Sequence, residues 1–226
     1  MKTQKAVLLI LTYLSTALGT SPPPVGAQQP AGTSSHWNWR SRDAWQRPEE
    51  VMNSLGIQTG WRVADVGCGD GYFTYHLADR VGPSGKVYAV DIREDPIRGI
   101  RRQAAEKGLA QIEAIVGAPD DPHLPASTLD AVLVVDAYHE FKEHEAMLKH
   151  LYDALKPGGV FGVMDYVAEP GQTREEYVAH HHIPPEMVRQ EFESEAFHFA
   201  RREIDILVPG APWKFLYFLV FTKPTP

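Results

Sequence analysis

The sequence predicts an α/β architecture: a doubly wound, mainly parallel sheet of seven strands ending in an antiparallel hairpin. Three observations carry this. From residue 62 onward, short apolar runs alternate with stretches of helical periodicity. Residues 129–135 are continuously apolar after Asp130, as a strand covered on both faces must be. Only residues 209–213 separate the last two apolar runs. A parallel crossover needs about a dozen or more, so that pair turns back on itself.

The elements follow in order. Residues 1–27 read as a secretory signal: Lys2 and Lys5 precede a mostly apolar stretch at 6–18, and Val25-Gly26-Ala27 offers small residues for cleavage. The stretch has 13 residues, against the roughly 20 that span a bilayer. The expectation is therefore export, periplasmic or secreted, with cleavage after Ala27 and no stable membrane span afterwards. An uncleaved anchor, or a misassigned start that leaves the protein cytoplasmic, are the alternatives. Residues 28–36 continue a composition rich in Pro, Gly, Ser and Gln and are expected to be a disordered linker. The domain is placed at 37–226. Trp37, Trp39 and Trp45 fall close together, as a lid over a ligand site or an apolar cap on the sheet. Arg47-Pro48-Glu49-Glu50 opens a helix leading into Val51, Met52 and Leu55.

The first strand is 62–66, followed by a helix at 72–81. The turn Gly82-Pro83-Ser84-Gly85 leads to a strand at 86–91, then a helix at 94–107 closed by Gly108. Strands at 111–116 and 129–135 come next. The helix at 142–155 carries Met147, Leu148, Leu151, Tyr152 and Leu155 on one face. Lys156-Pro157-Gly158-Gly159 turns the chain into a strand at 160–165. A helix at 184–196 has Pro in its first turn, and strands at 202–208 and 214–222 finish the sheet.

Residues 63–71 read Val-Ala-Asp-Val-Gly-Cys-Gly-Asp-Gly. A strand ends in three glycines at alternate positions, Gly67, Gly69 and Gly71, with Asp65 just ahead. Glycines let the backbone turn sharply and let a ligand lie on the main chain. The helix start that follows offers unpaired N–H groups. A dinucleotide loop, Gly-x-Gly-x-x-Gly, would place its third glycine at position 72, which is Tyr. Gly-x-Gly-x-Gly behind an acid instead resembles the first motif of the class I S-adenosyl-L-methionine (SAM)-dependent methyltransferases. The fold resemblance covers 60–222, since a parallel sheet ending in a hairpin is that family's arrangement. A tight β–α turn with no ligand is the bland alternative.

The resemblance implies SAM as cofactor, with its methionine part against Gly67, Gly69, Asp70 and Gly71. Asp65 then serves the loop or the methionine amino group. Asp91 ends the second strand 20 residues after Gly71, where a carboxylate accepts from two ribose hydroxyls at once. The resemblance gives it that role and sets Ile92 against the adenine. In the loop from Gly117 to Pro122 it points to Gly117 and to Asp120, the acid for the adenine amino group. Asp121 is nearly as good a choice, and a plain turn is the alternative. The fourth strand ends in Val135-Asp136-Ala137-Tyr138-His139-Glu140. Asp136 is a candidate at the cofactor or the reacting centre. His139 is a candidate base for the acceptor's proton, or a residue that only orders its loop. Methyl transfer needs positioned partners and excluded water rather than a protein nucleophile. No Ser/His/Asp or Cys/His set is visible.

The chain carries 22 Lys and Arg against 29 Asp and Glu, a net charge of −7. Removing 1–27 takes two of the basic residues and no acid, leaving 199 residues at −9. An acidic chain without a basic run argues against nucleic acid as partner. A small-molecule methyl acceptor is expected, as in the methylases of ubiquinone synthesis, whose core motifs look similar. Oligomeric state is left open. The single Cys68 excludes an internal disulfide and reads as a small buried residue. His180-His181-His182, with His139, Glu140, Asp136 and His144, makes a metal site conceivable. Three adjacent histidines point in different directions, so a substrate-facing or capping loop is preferred and no metal is assigned. Export away from cytosolic SAM keeps two other readings open. One is a nucleoside- or SAM-binding protein without turnover. The other is a metal-dependent hydrolase or lyase using His139 and His180–His182.

Overall fold

The structure is a computed structural model that describes residues 39–207 and 215–226. The signal and linker segments, Trp37 and the turn of the terminal hairpin lie outside the described residues. The compact unit runs over Asn38–Pro226. Among the described residues no helix is long and apolar enough to cross a membrane.

Seven strands form one sheet in the order β3-β2-β1-β4-β5-β7-β6. They are β1 Arg62–Val66, β2 Lys86–Asp91, β3 Ile112–Val116, β4 Leu129–Val135, β5 Leu155–Tyr166, β6 His198–Leu207 and β7 Phe215–Thr222. The pairs from β3 through β5 are parallel, whereas β7 runs antiparallel to both β5 and β6. Chain order reverses where β1 meets β2 on one side and β4 on the other, the place in open α/β sheets where ligands bind beyond the strand ends.

The helices are α1 Trp39–Gln46, α2 Pro48–Ser54, α3 Tyr72–Val81, α4 Glu94–Lys107, α5 His144–Ala154, α6 Arg174–His180 and α7 Pro185–Ser194. The alternation along β4 shows why both faces are covered. Val132 and Val134 pack with Leu148, Leu151, Phe161 and Phe192. Ala131, Leu133 and Val135 pack with Met52, Leu77, Val81 and Phe218. Successive side chains point to opposite faces, so a strand with helices on both sides must be apolar throughout.

Strands β1, β2 and β4 and helices α3 and α4 fall where the sequence places them, with Gly108 closing α4 at φ 68°. Four departures are informative. Helices α1 and α6 were not anticipated. Helix α5 is shorter at both ends than 142–155, because a 3-10 turn at Tyr138–Glu140 takes the approach and Leu155 already belongs to β5. Helix α7 stops at Ser194 and β6 begins at His198, earlier than the predicted 202. The segment Lys156-Pro157-Gly158-Gly159 is part of β5 rather than a free turn. Leu129 pairs with Leu155 and Ala131 with Val160, so these four residues bulge opposite Asp130 alone. Gly158, at φ 78°, donates its N–H to the Lys223 carbonyl at 2.9 Å, and Lys223 N–H returns a bond to Gly159 at 2.9 Å. The end of β7 thus completes the ladder that the bulge leaves open.

Candidate active site at the strand ends

The loop after β1 is laid across the end of β2. Gly67 and Cys68 both donate N–H to the Val90 carbonyl, at 2.8 and 3.0 Å. Gly67, Gly69 and Gly71 have φ of 75°, 52° and 86°, values that a side chain rarely tolerates. At Gly67 the reason is also contact: a Cβ there would stand 2.4 Å from the Cβ of Ala137. That approach brings the glycine loop against the segment leaving β4. Burial pushes the Cys68 thiol up, so it stays protonated and packs as a small side chain.

Asp91 is the hub of the β2 end and is 6% exposed. Its Oδ2 accepts the Gly69 N–H at 3.0 Å, and its Oδ1 accepts the Arg93 N–H at 2.9 Å. The Arg93 guanidinium adds bonds at 3.1 and 3.3 Å from a side chain that is largely exposed. Ile92 is the large hydrophobic side chain that stands out, 58% exposed. Gly117 donates its N–H to the Asp91 carbonyl at 3.1 Å, which ties the loop after β3 to the same place. Asp120 and Asp70 are exposed. It is Asp121 that shapes the loop, accepting from the His123 N–H at 2.7 Å through its side chain and from Ala118 at 2.7 Å through its carbonyl.

Asp65 is buried beneath the loop and accepts from the Thr74 hydroxyl at 2.6 Å, which joins β1 to the first turn of α3. Burial raises its pKa to about 6. Helix α1 closes over this corner. Asp43 accepts from the Tyr72 hydroxyl at 2.6 Å and meets His76 at 3.1 Å, while Arg42 stands 4.0 Å over the Tyr72 ring. Burial lowers the pKa of Arg42, against the charges of Asp136 and Asp65 that face it. Sequence reasoning passed over this arginine because it sits in a helix that was not anticipated.

The end of β4 carries the densest polar group. Asp136 has φ 54° and donates its N–H to Met164 at 2.8 Å, extending the ladder to β5. The surrounding protein and the charge of Asp165 raise its carboxyl to about 6. His139 is 2% exposed, and its Nδ1 meets Asp165 Oδ1 at 2.9 Å. Asp165, fully buried on β5, also accepts the His139 backbone N–H at 3.1 Å and that of Tyr166 at 2.7 Å. With Nδ1 donating to the carboxylate, the neutral ring keeps its lone pair on Nε2. Burial opposes charge on this ring, but the bond to Asp165 and its charge outweigh burial and raise the pKa. From the sequence, Asp165 is only the last residue of the strand at 160–165. Its resemblance in position to Asp91, an acid ending a buried strand, was the available signal.

Helix α6 lies over this cluster. Thr173 caps it through a reciprocal box with Glu176. Arg174 then pins it down, donating to the Phe141 carbonyl at 2.8 Å and to His144 at 3.0 Å, with Glu191 at 3.4 Å. His144 is therefore committed to Arg174 and Glu191 and does not join His139. The three consecutive histidines separate: His180 and His182 stack on each other, whereas His181 meets the His139 ring edge-on at 5.5 Å.

The seven-stranded sheet, mostly parallel with antiparallel strands at its C-terminal end, has the Rossmann-like fold of its methyltransferase structural neighbours. Residues 63–159 match the family model described as a methyltransferase domain. The chain is 31% identical over 124 residues to the demethylmenaquinone methyltransferase of Geobacillus sp. (strain WCH70), covering 55% of this chain and 50% of that protein. It is 34% identical over 120 residues to nocamycin O-methyltransferase of Saccharothrix syringae, covering 53% and 43%. The chain thus spans about half the length of the curated relatives it matches. A SAM-dependent methyltransferase from Aquifex aeolicus superposes with a TM-score of 0.68 at 24% identity over 81% of this chain and 93% of that one. The [4+2]-cyclase SpnF does so with a TM-score of 0.66 at 17% identity over 80% and 81%. These structural likenesses show the fold. The matched segment, residues 63–159, is similar to a methyltransferase domain.

Proposed function

We propose that the protein is a SAM-dependent methyltransferase acting on a small-molecule acceptor. The observation that supports this most is the close approach of Gly67 to Ala137, which sets the glycine loop beside the segment that carries His139. The residues present fit the cofactor. Asp91 is a fixed carboxylate suited to paired hydroxyls, Ile92 is an exposed apolar face beside it, and the loop glycines leave the main chain bare. The cofactor supplies an electrophilic methyl group on a sulfonium. Arg42 and Asp65 offer opposite charges at the corner of the glycine loop, suited to the carboxylate and amino groups of an amino acid. His139, held by Asp165, presents a lone pair that can take the acceptor's proton.

Calorimetry with S-adenosylhomocysteine tests the reading. Binding is expected, and its absence at millimolar ligand would sink the proposal. Asp91→Ala is expected to weaken binding at least tenfold, a loss of about 1.4 kcal/mol. Arg93→Ala is expected to leave it unchanged or tighter, because the exposed guanidinium competes for the same carboxylate.

The fold also supports other chemistry, as the cyclase neighbour illustrates. Ligand binding without methyl transfer to any tested acceptor would favour a binding protein. The export signal is retained as part of the proposal, on the pattern of residues 1–27. N-terminal sequencing of the protein from its host, showing Met1 retained, would remove it.

A further inference from the structure

We propose that His139, Glu140 and His181 form a binding site for a divalent transition-metal ion of the zinc type. One ligand atom from each of the three side chains lies within 4.8 Å of the others. His139 Nε2 stands 3.9 Å from Glu140 Oε1, and His181 Nδ1 stands 3.6 Å from the same oxygen. Both distances exceed a hydrogen bond. They approach the roughly 3.4 Å that separates two ligand atoms on a tetrahedral zinc with bonds of about 2.0–2.1 Å.

The surroundings favour this use. Asp165 holds Nδ1 of His139, which turns Nε2 and its lone pair toward the cluster. A carboxylate behind a ligating imidazole fixes its tautomer and raises its basicity. His139 is also near Asp136 and Asp165, but there the short contact is the hydrogen bond to Asp165. His181 ends α6 in the left-handed conformation at φ 53°, a backbone cost for a non-glycine residue. That turn separates it from His180 and His182 and brings it edge-on to His139. Arg174 anchors the helix that carries it. The sequence reading weighed three adjacent histidines as a unit and assigned no metal; the geometry selects one of them and supplies two ligands from elsewhere.

Two imidazoles and one carboxylate suit zinc and its neighbours rather than magnesium or calcium, which prefer oxygen alone. Glu140 and His181 are exposed, so the ion would sit at the lip of the site with its fourth position open. That position fits an acceptor hydroxyl or thiol, which metal binding makes easier to deprotonate, the proton passing to solvent at this exposed lip. The lone pair of Nε2 then serves the ion instead of taking the proton itself. This refines the role of His139 under the methyl-transfer reading and leaves the cofactor site untouched.

The test uses the full chain, stripped by chelator and titrated with Zn2+ by calorimetry. One equivalent is expected to bind. His181→Asn, which keeps a residue tolerant of the left-handed backbone, and Glu140→Gln are each expected to weaken binding at least tenfold. His180→Asn is expected to leave it unchanged. No binding at about 0.1 mM free Zn2+, or an equal loss from His180→Asn, would overturn the site. S-adenosylhomocysteine is titrated into the same samples. Protein that binds it but not Zn2+ loses this proposal alone; protein that binds Zn2+ but not it loses the cofactor reading alone.

Discussion

Asp65 is a carboxyl shut off from water at the base of the glycine loop, and its pKa of about 6 measures the cost of charging it there. The sign follows from the direction. The fold favours the protonated form, so the associated stability is complete below the unfolded value of 3.8 and is lost as pH rises through about 6. Asparagine keeps an acceptor for Thr74 without the charge. Asp65→Asn is expected to stabilise the protein by up to about 3 kcal/mol at pH 7, the gain vanishing near pH 4. Urea unfolding at the two pH values measures it, and equal midpoint changes at both would refute the account. The same variant is expected to bind S-adenosylhomocysteine more weakly, since a residue kept charged at a cost is the kind that function retains. Asp65, Asp91 and the three glycines were legible because motif and strand end coincide in sequence. Asp165 and Arg42 were not, because the partner of each is decided by packing: Asp165 reaches His139 across the β4–β5 pair, and Arg42 reaches the site through α1 on Tyr72.

At the scale of elements, α6 is a helix of only 7 residues, too short to persist without tertiary contacts. Its supports are the Thr173–Glu176 box and the Arg174 network. Thr173→Ala is expected to cost about 1 kcal/mol, seen mainly as faster amide exchange in α6. Arg174→Met strips Glu191 and His144 of a partly buried partner and is expected to cost about 1–3 kcal/mol, read from the urea midpoint. A loss under about 0.5 kcal/mol, the usual size for a surface change, would show the network to be incidental. The capping pattern Thr-x-x-Glu was in the sequence and would have found this helix. The run His180-His181-His182 points instead to a loop. The bulge in β5 had no such local signal, because its partner is Lys223 at the far end of β7. The long, regular elements were read correctly since periodicity alone determines them; their ends depend on neighbours.

For the molecule as a whole, the sheet order follows from simple rules: parallel strands joined by helices, then a short return that must be antiparallel. Only the insertion of β7 between β5 and β6 needed more than the hairpin itself. The junction is tight. A Cβ on Gly162 would meet the Phe218 ring at 2.8 Å and Leu55 at 3.0 Å, so Gly162→Ala is expected to cost about 1–3 kcal/mol by overpacking, checked by thermal or urea unfolding. The position of β7 also bears on timing. A ribosome makes this strand after the sheet's other six, yet it fills an interior place in the sheet, so β5 has no partner on that side until those six have been made. A nascent chain emptied of β7 exposes Phe161 and Val163 beside an open strand edge, the surface on which chains aggregate. Cutting the chain after residue 213 is accordingly expected to yield insoluble protein on expression. Recovery of a soluble, cooperatively folding product would show that the first strands fold without it.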